Sequence, residues 1–252
     1  MRFALLLSPA FLACVSPVHA DVFLLSNVTG TETPTVASVL PGQGFSAAQE
    51  TTLTTLKLPG LASQTSTVTF TYVAQAGGFN FSFGFFNRAA ATADPAGNSA
   101  LFAQQGLTAA TAVFDERTGL TPGTKKSYTF AGGTELVFFL IPDESLAGFL
   151  AHPGDFFPPQ TANDSRRAPL FSLSDANPGG FDQMLSFQNG AALLLGFEDL
   201  SRLGSSDRDF NDGIFRVDYT TPVTTRDVVP EPTSLAALLL GAAACWAKRR
   251  RG

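Results

Sequence analysis

The chain has 252 residues, 44% of them hydrophobic and 15% charged, with 16 Lys and Arg against 21 Asp and Glu. That acidic balance repels phosphate backbones, which sets nucleic-acid binding aside and makes divalent cations natural partners. Both cysteines, Cys14 and Cys245, lie near the termini and only His152 stands outside the N-terminal segment, so thiol chemistry and histidine-rich metal sites are excluded from the central body.

Arg2, an apolar run over 3–15 and Val18-His19-Ala20 before Asp21 predict a secretory signal over residues 1–20, removed by a signal peptidase. A buried N-terminal helix is the alternative, but Pro9 and Pro17 would interrupt it. The exported body, 21–229, is long enough for a sizeable core in one domain and carries 11 basic against 20 acidic residues. Ser46 and Gln49 stand at capping-box spacing and Pro59-Gly60 would stop a helix, so 46–57 reads as one. Residues 67–73 alternate threonines with Val68, Phe70 and Tyr72, the period of a half-buried strand. Beyond the turn signal Gly77-Gly78, the residues Phe79, Phe81, Phe83 and Phe85 repeat that alternation, and the two segments read as a hairpin. Further strands are predicted at 127–130, 135–141, 191–197 and 213–219. The runs 136–141 and 193–197 are continuously apolar, as central strands covered on both faces are. Clustered prolines, glycines and polar residues make 143–169 a long surface loop, in which Phe156 and Phe157 offer aromatic faces to sugar or, more commonly, to packing. The whole reads as an all-β protein, a single β-sandwich domain of jelly-roll-like kind.

The densest chemistry lies between the last two predicted strands. Glu198, Asp199, Asp207, Asp209, Asn211 and Asp212 place six oxygen-bearing side chains within 15 residues. Like charges that close need neutralising, and a hard cation with six to eight oxygen ligands does this directly. These six residues are therefore predicted to bind calcium. Asp207, Asp209 and Asn211 match positions one, three and five of an EF-hand loop, but Asp212 replaces the glycine expected next and Asp218 the closing glutamate, so the loop belongs to a β-scaffold instead. The competing reading is a salt-bridged turn around Arg202 and Arg208. Two arginines against five acids leave three negative charges uncompensated, which favours the cation.

At the C-terminus, Pro230-Glu231-Pro232 precedes the apolar stretch 235–247, Trp246 and the cluster Lys248-Arg249-Arg250-Arg251. The stretch is short for a membrane span, yet the aromatic edge and basic tip suit a membrane anchor. This order over 230–252 resembles the PEP-CTERM sorting signal of exopolysaccharide-producing Gram-negative bacteria. The resemblance implies recognition and cleavage by an exosortase, with only transient anchoring in the inner membrane. A permanent single-span anchor is the alternative.

Gly196-Phe197-Glu198-Asp199, a glycine-containing gap and Asp207-x-Asp209-Phe210-Asn211-Asp212 before a strand resemble the signature of domain of unknown function 4114. Gly133-Thr134-Glu135-Leu136-Val137-Phe138-Phe139-Leu140 resembles a preceding strand of that family, and 78–86 more loosely its first hairpin, so the likeness spans about 65–220. It implies an exported surface or adhesin-type protein that uses an ion, and assigns no activity. Three functions follow: a calcium-stabilised, non-enzymatic surface or matrix protein that binds envelope polysaccharide; a carboxylate-dependent glycosidase or lyase; or a passive cargo defined by its address. The first is favoured, because adjacent Glu198 and Asp199 point to opposite faces of a strand and leave only a pair such as Glu198 with Asp209 for catalysis. Ser-His chemistry through His152 lacks a nucleophile-elbow motif nearby.

Overall fold

A computed structural model describes residues 24–30, 32–78, 80–96, 99–153, 168–200 and 207–220. The predicted signal over 1–20, the Pro230-Glu231-Pro232 motif, the C-terminal apolar stretch, Arg202, Phe156 and Phe157 lie outside the described residues. No helix among the described residues is long and apolar enough to cross a membrane.

After a short helix α1 (Val36–Val39), the strands are β1 (Glu50–Thr51), β2 (Leu56–Lys57), β3 (Thr65–Ala74), β4 (Phe81–Asn87), β5 (Thr111–Asp115) and β6 (Lys125–Ala131). They continue as β7 (Glu135–Pro142), β8 (Leu170–Phe171), β9 (Met184–Asn189), β10 (Ala192–Phe197) and β11 (Gly213–Tyr219). Two antiparallel sheets result: a six-stranded one in the order β1-β9-β10-β11-β3-β6, and a five-stranded one in which β2-β7-β4-β5 is joined by β8 along β7. The fold is an all-β sandwich.

The alternating residues fill the space between the sheets. Val68, Phe70 and Tyr72 of β3, Phe81, Phe83 and Phe85 of β4, and Phe215 and Val217 of β11 form one buried cluster. Phe83 stacks on Phe215 across it with ring centroids 3.7 Å apart and planes 11° apart. Each such ring removes enough apolar surface from water to stabilise the fold by roughly 1.5–3 kcal/mol. The continuously apolar runs are covered on both faces as their composition requires. In β7, Leu136, Phe138 and Leu140 face the central cluster. Their neighbours Val137, Phe139 and Ile141 face a second cluster with Phe102 and Leu107 of the helix α2 (Ser99–Thr108) and Phe149 of the helix α3 (Leu146–Ala151). In β10, Leu193 and Leu195 point inward, while Leu194 meets Val36, Leu40 and Phe45 of the N-terminal segment in a third cluster.

Three expectations are corrected. The segment 46–57 is not a helix: Gln49 Oε1 accepts from the Ser46 N–H at 2.8 Å around a single 3-10 turn, Ala47–Gln49, and the chain then enters β1 and β2. Its Thr-rich composition favours extension once β9 and β7 offer partners. β3 and β4 are not a hairpin, because β3 pairs with β11 and β6 while β4 pairs with β7 and β5. The chain crosses between sheets after β3, and the two phenylalanine faces meet across the core. The loop predicted over 143–169 contains α3, capped by the Ser145 hydroxyl accepting from Gly148 N at 2.8 Å. The strands expected at 127–130, 135–141, 191–197 and 213–219 are present as β6, β7, β10 and β11.

Candidate metal centre

β10 and β11 are antiparallel neighbours in a register that sets Phe197 opposite Gly213. The connection between them therefore begins and ends at one point, which brings Glu198 and Asp199 against Asp209, Asn211 and Asp212. Asp212 Oδ2 accepts from Asp199 N at 2.8 Å, and Glu198 Oε2 from Phe210 N at 3.4 Å. Arg208 and Phe210 adopt left-handed backbone angles, with φ of 61° and 55°. Such angles cost a non-glycine residue on the order of 1 kcal/mol or more and persist where the surroundings impose them. Here they fold the chain back at every second residue and turn Asp209 and Asn211 inward, while Phe210 anchors the turn in the third cluster. Just beyond, the β11 register with β3 shifts between Ile214 and Phe215.

The interior of this loop is acidic and closed to solvent. Glu198 is 1% exposed, Asp199 3%, Asp212 7%, and Asp209 and Asn211 not at all. Carboxylate oxygens of Glu198, Asp209 and Asp212 lie within 4.8 Å of one another. Burial pushes the Glu198 carboxyl far above the usual carboxylate range, and repulsion from Asp212, Asp207, Asp209 and Asp199 adds to it. Asp199 is raised by burial and by Asp212, and Asp212 by burial, with the Asp199 N–H pulling it back. Burial pushes Asp209 up to about 6 against the opposing hydrogen bond from the Asn211 N–H.

Four buried oxygens at this point have no hydrogen-bond partner: Glu198 Oε1, Asp199 Oδ2, Asp209 Oδ2 and Asn211 Oδ1. They are half of the eight such atoms among the described residues, so the deficit is concentrated here. Leaving one buried acceptor unpaired costs about 1–3 kcal/mol, and more when it is charged. The donor set is all oxygen, which fits a hard cation such as calcium and suits zinc or copper poorly. Two glycines from distant segments bring backbone onto the cluster. A Cβ on Gly77 would sit 2.4 Å from Asp212 Oδ1 and 3.2 Å from Asp199 Oδ2, and one on Gly30 would sit 2.0 Å from Asp209 Cβ.

The six sequence-predicted ligands separate into groups. Glu198, Asp209 and Asp212 converge; Asn211 and Asp199 each leave a buried unpaired oxygen in the same loop; Asp207 is exposed and sits with Asp209 and Glu32 in a second group of converging carboxylates. Glu32 has no signal in the sequence, since 179 positions separate it from Asn211, whose Nδ2 donates to the Glu32 carbonyl at 3.1 Å. Asp218, the closing residue of the EF-hand comparison, is engaged elsewhere, paired with Arg216 at 2.7 Å. His152 is an exposed residue at the C-terminus of α3, its N–H bonded to the carbonyls of Gly148 and Phe149.

Fold and centre together define a β-sandwich protein with a buried carboxylate cluster at the end of its β10–β11 strand pair. Residues 130–220, from the end of β6 through β11, match the family described as Domain of unknown function (DUF4114), and residues 228–251 match the PEP-CTERM protein-sorting motif. Residues 130–220 are thus similar to that domain, and the C-terminus carries a sorting signal of the kind recognised by an exosortase-type enzyme, which implies export and a surface location. No curated protein and no solved structure matches it.

Proposed function

We propose that the exported body is a calcium-stabilised β-sandwich with a non-enzymatic binding or adhesion role at the cell surface or in the extracellular matrix. The observation that carries this reading is the group of four unpartnered buried oxygens on Glu198, Asp199, Asp209 and Asn211 beside the Asp212 carboxylate. Asp212 and the three unpaired carboxylate residues cannot all ionise in a closed loop without a counter-charge, and a divalent ion supplies it while filling the empty acceptor valences. The ion then fixes the end of the β10–β11 pair. The PEP-CTERM motif supports a place outside the cell, where millimolar calcium saturates even a site of modest affinity.

The test is calorimetric titration of chelator-treated protein with calcium chloride, paired with thermal melting. Heat release and a higher melting temperature are expected. Absence of both removes the ion from the centre.

A carboxylate-dependent glycosidase or lyase is the second reading, favoured by the proximity of Glu198 and Asp209 and by the raised Glu198 pKa, a property of general acids. Burial weighs against it, since side chains 1% and 0% exposed leave no room for a sugar ring between them. Turnover of a polysaccharide panel that disappears in Glu198→Gln would reverse this order.

A further inference from the structure

We infer that the acidic block holds two cations, an inner one between Glu198, Asp209 and Asp212 and an outer one between Asp209, Asp207 and Glu32, with the Asp209 carboxylate shared. This rests on the calcium reading above and extends it to a residue, Glu32, that lies outside both family matches. The carboxylate oxygens of Glu32, Asp207 and Asp209 lie within 4.8 Å of one another, the same closeness as in the inner group. Asp209 belongs to both groups, is fully buried, and keeps its Oδ2 free of any hydrogen bond while Oδ1 accepts from Asn211 N at 3.2 Å. A carboxylate with one unpaired oxygen between two acidic triads has the valence to bridge two ions.

The N-terminal segment is built to reach this point. Thr29 donates twice to the block, from its N–H to the Arg208 carbonyl at 3.3 Å and from its hydroxyl to the Asp207 carbonyl at 2.9 Å. Gly30 follows with its Cα pressed against Asp209, and the Glu32 carbonyl receives the Asn211 amide. These bonds hold the backbone in place and leave the Glu32 carboxylate beside Asp207, a like-charge contact that a cation would relieve. The two ions differ in strength. The inner triad is buried throughout, whereas Glu32 and Asp207 are exposed, so the outer ion binds more weakly and is more sensitive to salt. Its consequence is a calcium-dependent latch that ties the segment covering the outer face of β9 and β10 to the loop before β11.

The stoichiometry decides. Calorimetry and native mass spectrometry of the full chain titrated with calcium chloride should give two ions in two steps. Glu32→Gln should lose the weaker step or weaken it about tenfold or more, and keep the tighter one. Glu32 is exposed and faces a like charge, so this variant should melt at or slightly above the wild type in chelator, which separates a lost ligand from a lost fold. One ion in the wild type, or two ions with affinities unchanged in Glu32→Gln, overturns the outer site and leaves the inner one standing. No bound ion overturns both.

Discussion

Replacing Glu198 by glutamine should lower stability in the presence of calcium and not in its absence. In chelator, Glu198 is a buried carboxyl whose charged form is opposed by burial and by four neighbouring aspartates, so removing its charge relieves repulsion and the melting temperature should stay level or rise. With calcium the same change deletes a ligand. If the wild type binds with calcium at about 100 times its Kd, linkage adds about 2.7 kcal/mol of stability. A roughly hundredfold weaker site would retain about 0.4 kcal/mol of that under the same conditions. The difference of about 2.3 kcal/mol corresponds to a drop of roughly 5–9 °C for a domain of about 200 residues. The glutamine keeps an acceptor for the 3.4 Å bond from Phe210 N, so the loss reports the ion rather than the backbone. The assay is differential scanning calorimetry of both proteins in millimolar calcium and in EDTA. Equal shifts in the two buffers would refute the reasoning, because a carboxylate that acts only through protein hydrogen bonds does not care about the chelator.

The same centre and the core behind it have further measurable consequences. The Asp209 pKa is raised from 3.8 to about 6, so its proton-bound form stabilises the fold at low pH and that contribution is lost as pH rises through about 6. Metal-free protein should therefore be less stable and melt lower at pH 8 than at pH 5, by at most about 1 kcal/mol from Asp209 after solvent screening and by more with its neighbours. A melting temperature that climbs over this range contradicts the shift. Gly77→Ala would place a methyl 2.4 Å from Asp212 Oδ1, and a calcium affinity at least about tenfold weaker is expected by titration. An unchanged affinity would detach Asp212 from the ion. Phe83→Ala removes the ring stacked at 3.7 Å on Phe215 and should lower the unfolding free energy by about 3–5 kcal/mol in urea denaturation with an unchanged m-value. A cost under about 1 kcal/mol would mean that the two sheets are not held together through this stack.

Much of this protein is legible in the linear chain because the features involved are local. Period-two alternation in 67–73 fixes which residues of β3 face the core, and the unbroken apolar run of β7 requires a layer on each side, which the central cluster and the α2 and α3 helices supply. The density of acids between residues 198 and 212 marks the centre, since neighbours in sequence joining two paired strands cannot move far apart. Alternation, however, specifies a face and not a partner. The phenylalanines of β3 and β4 are buried equally well by a hairpin or by facing sheets, and only the pairing of β3 with β11 and β4 with β7 decides between them. Glu32 joins the acidic block from 179 positions before Asn211, and Gly30 and Gly77 matter because of atoms that reach them through space. Charge, hydropathy and turn chemistry are properties of short stretches of chain, whereas the shell around an ion is assembled by the packing of segments with no sequence relation to one another.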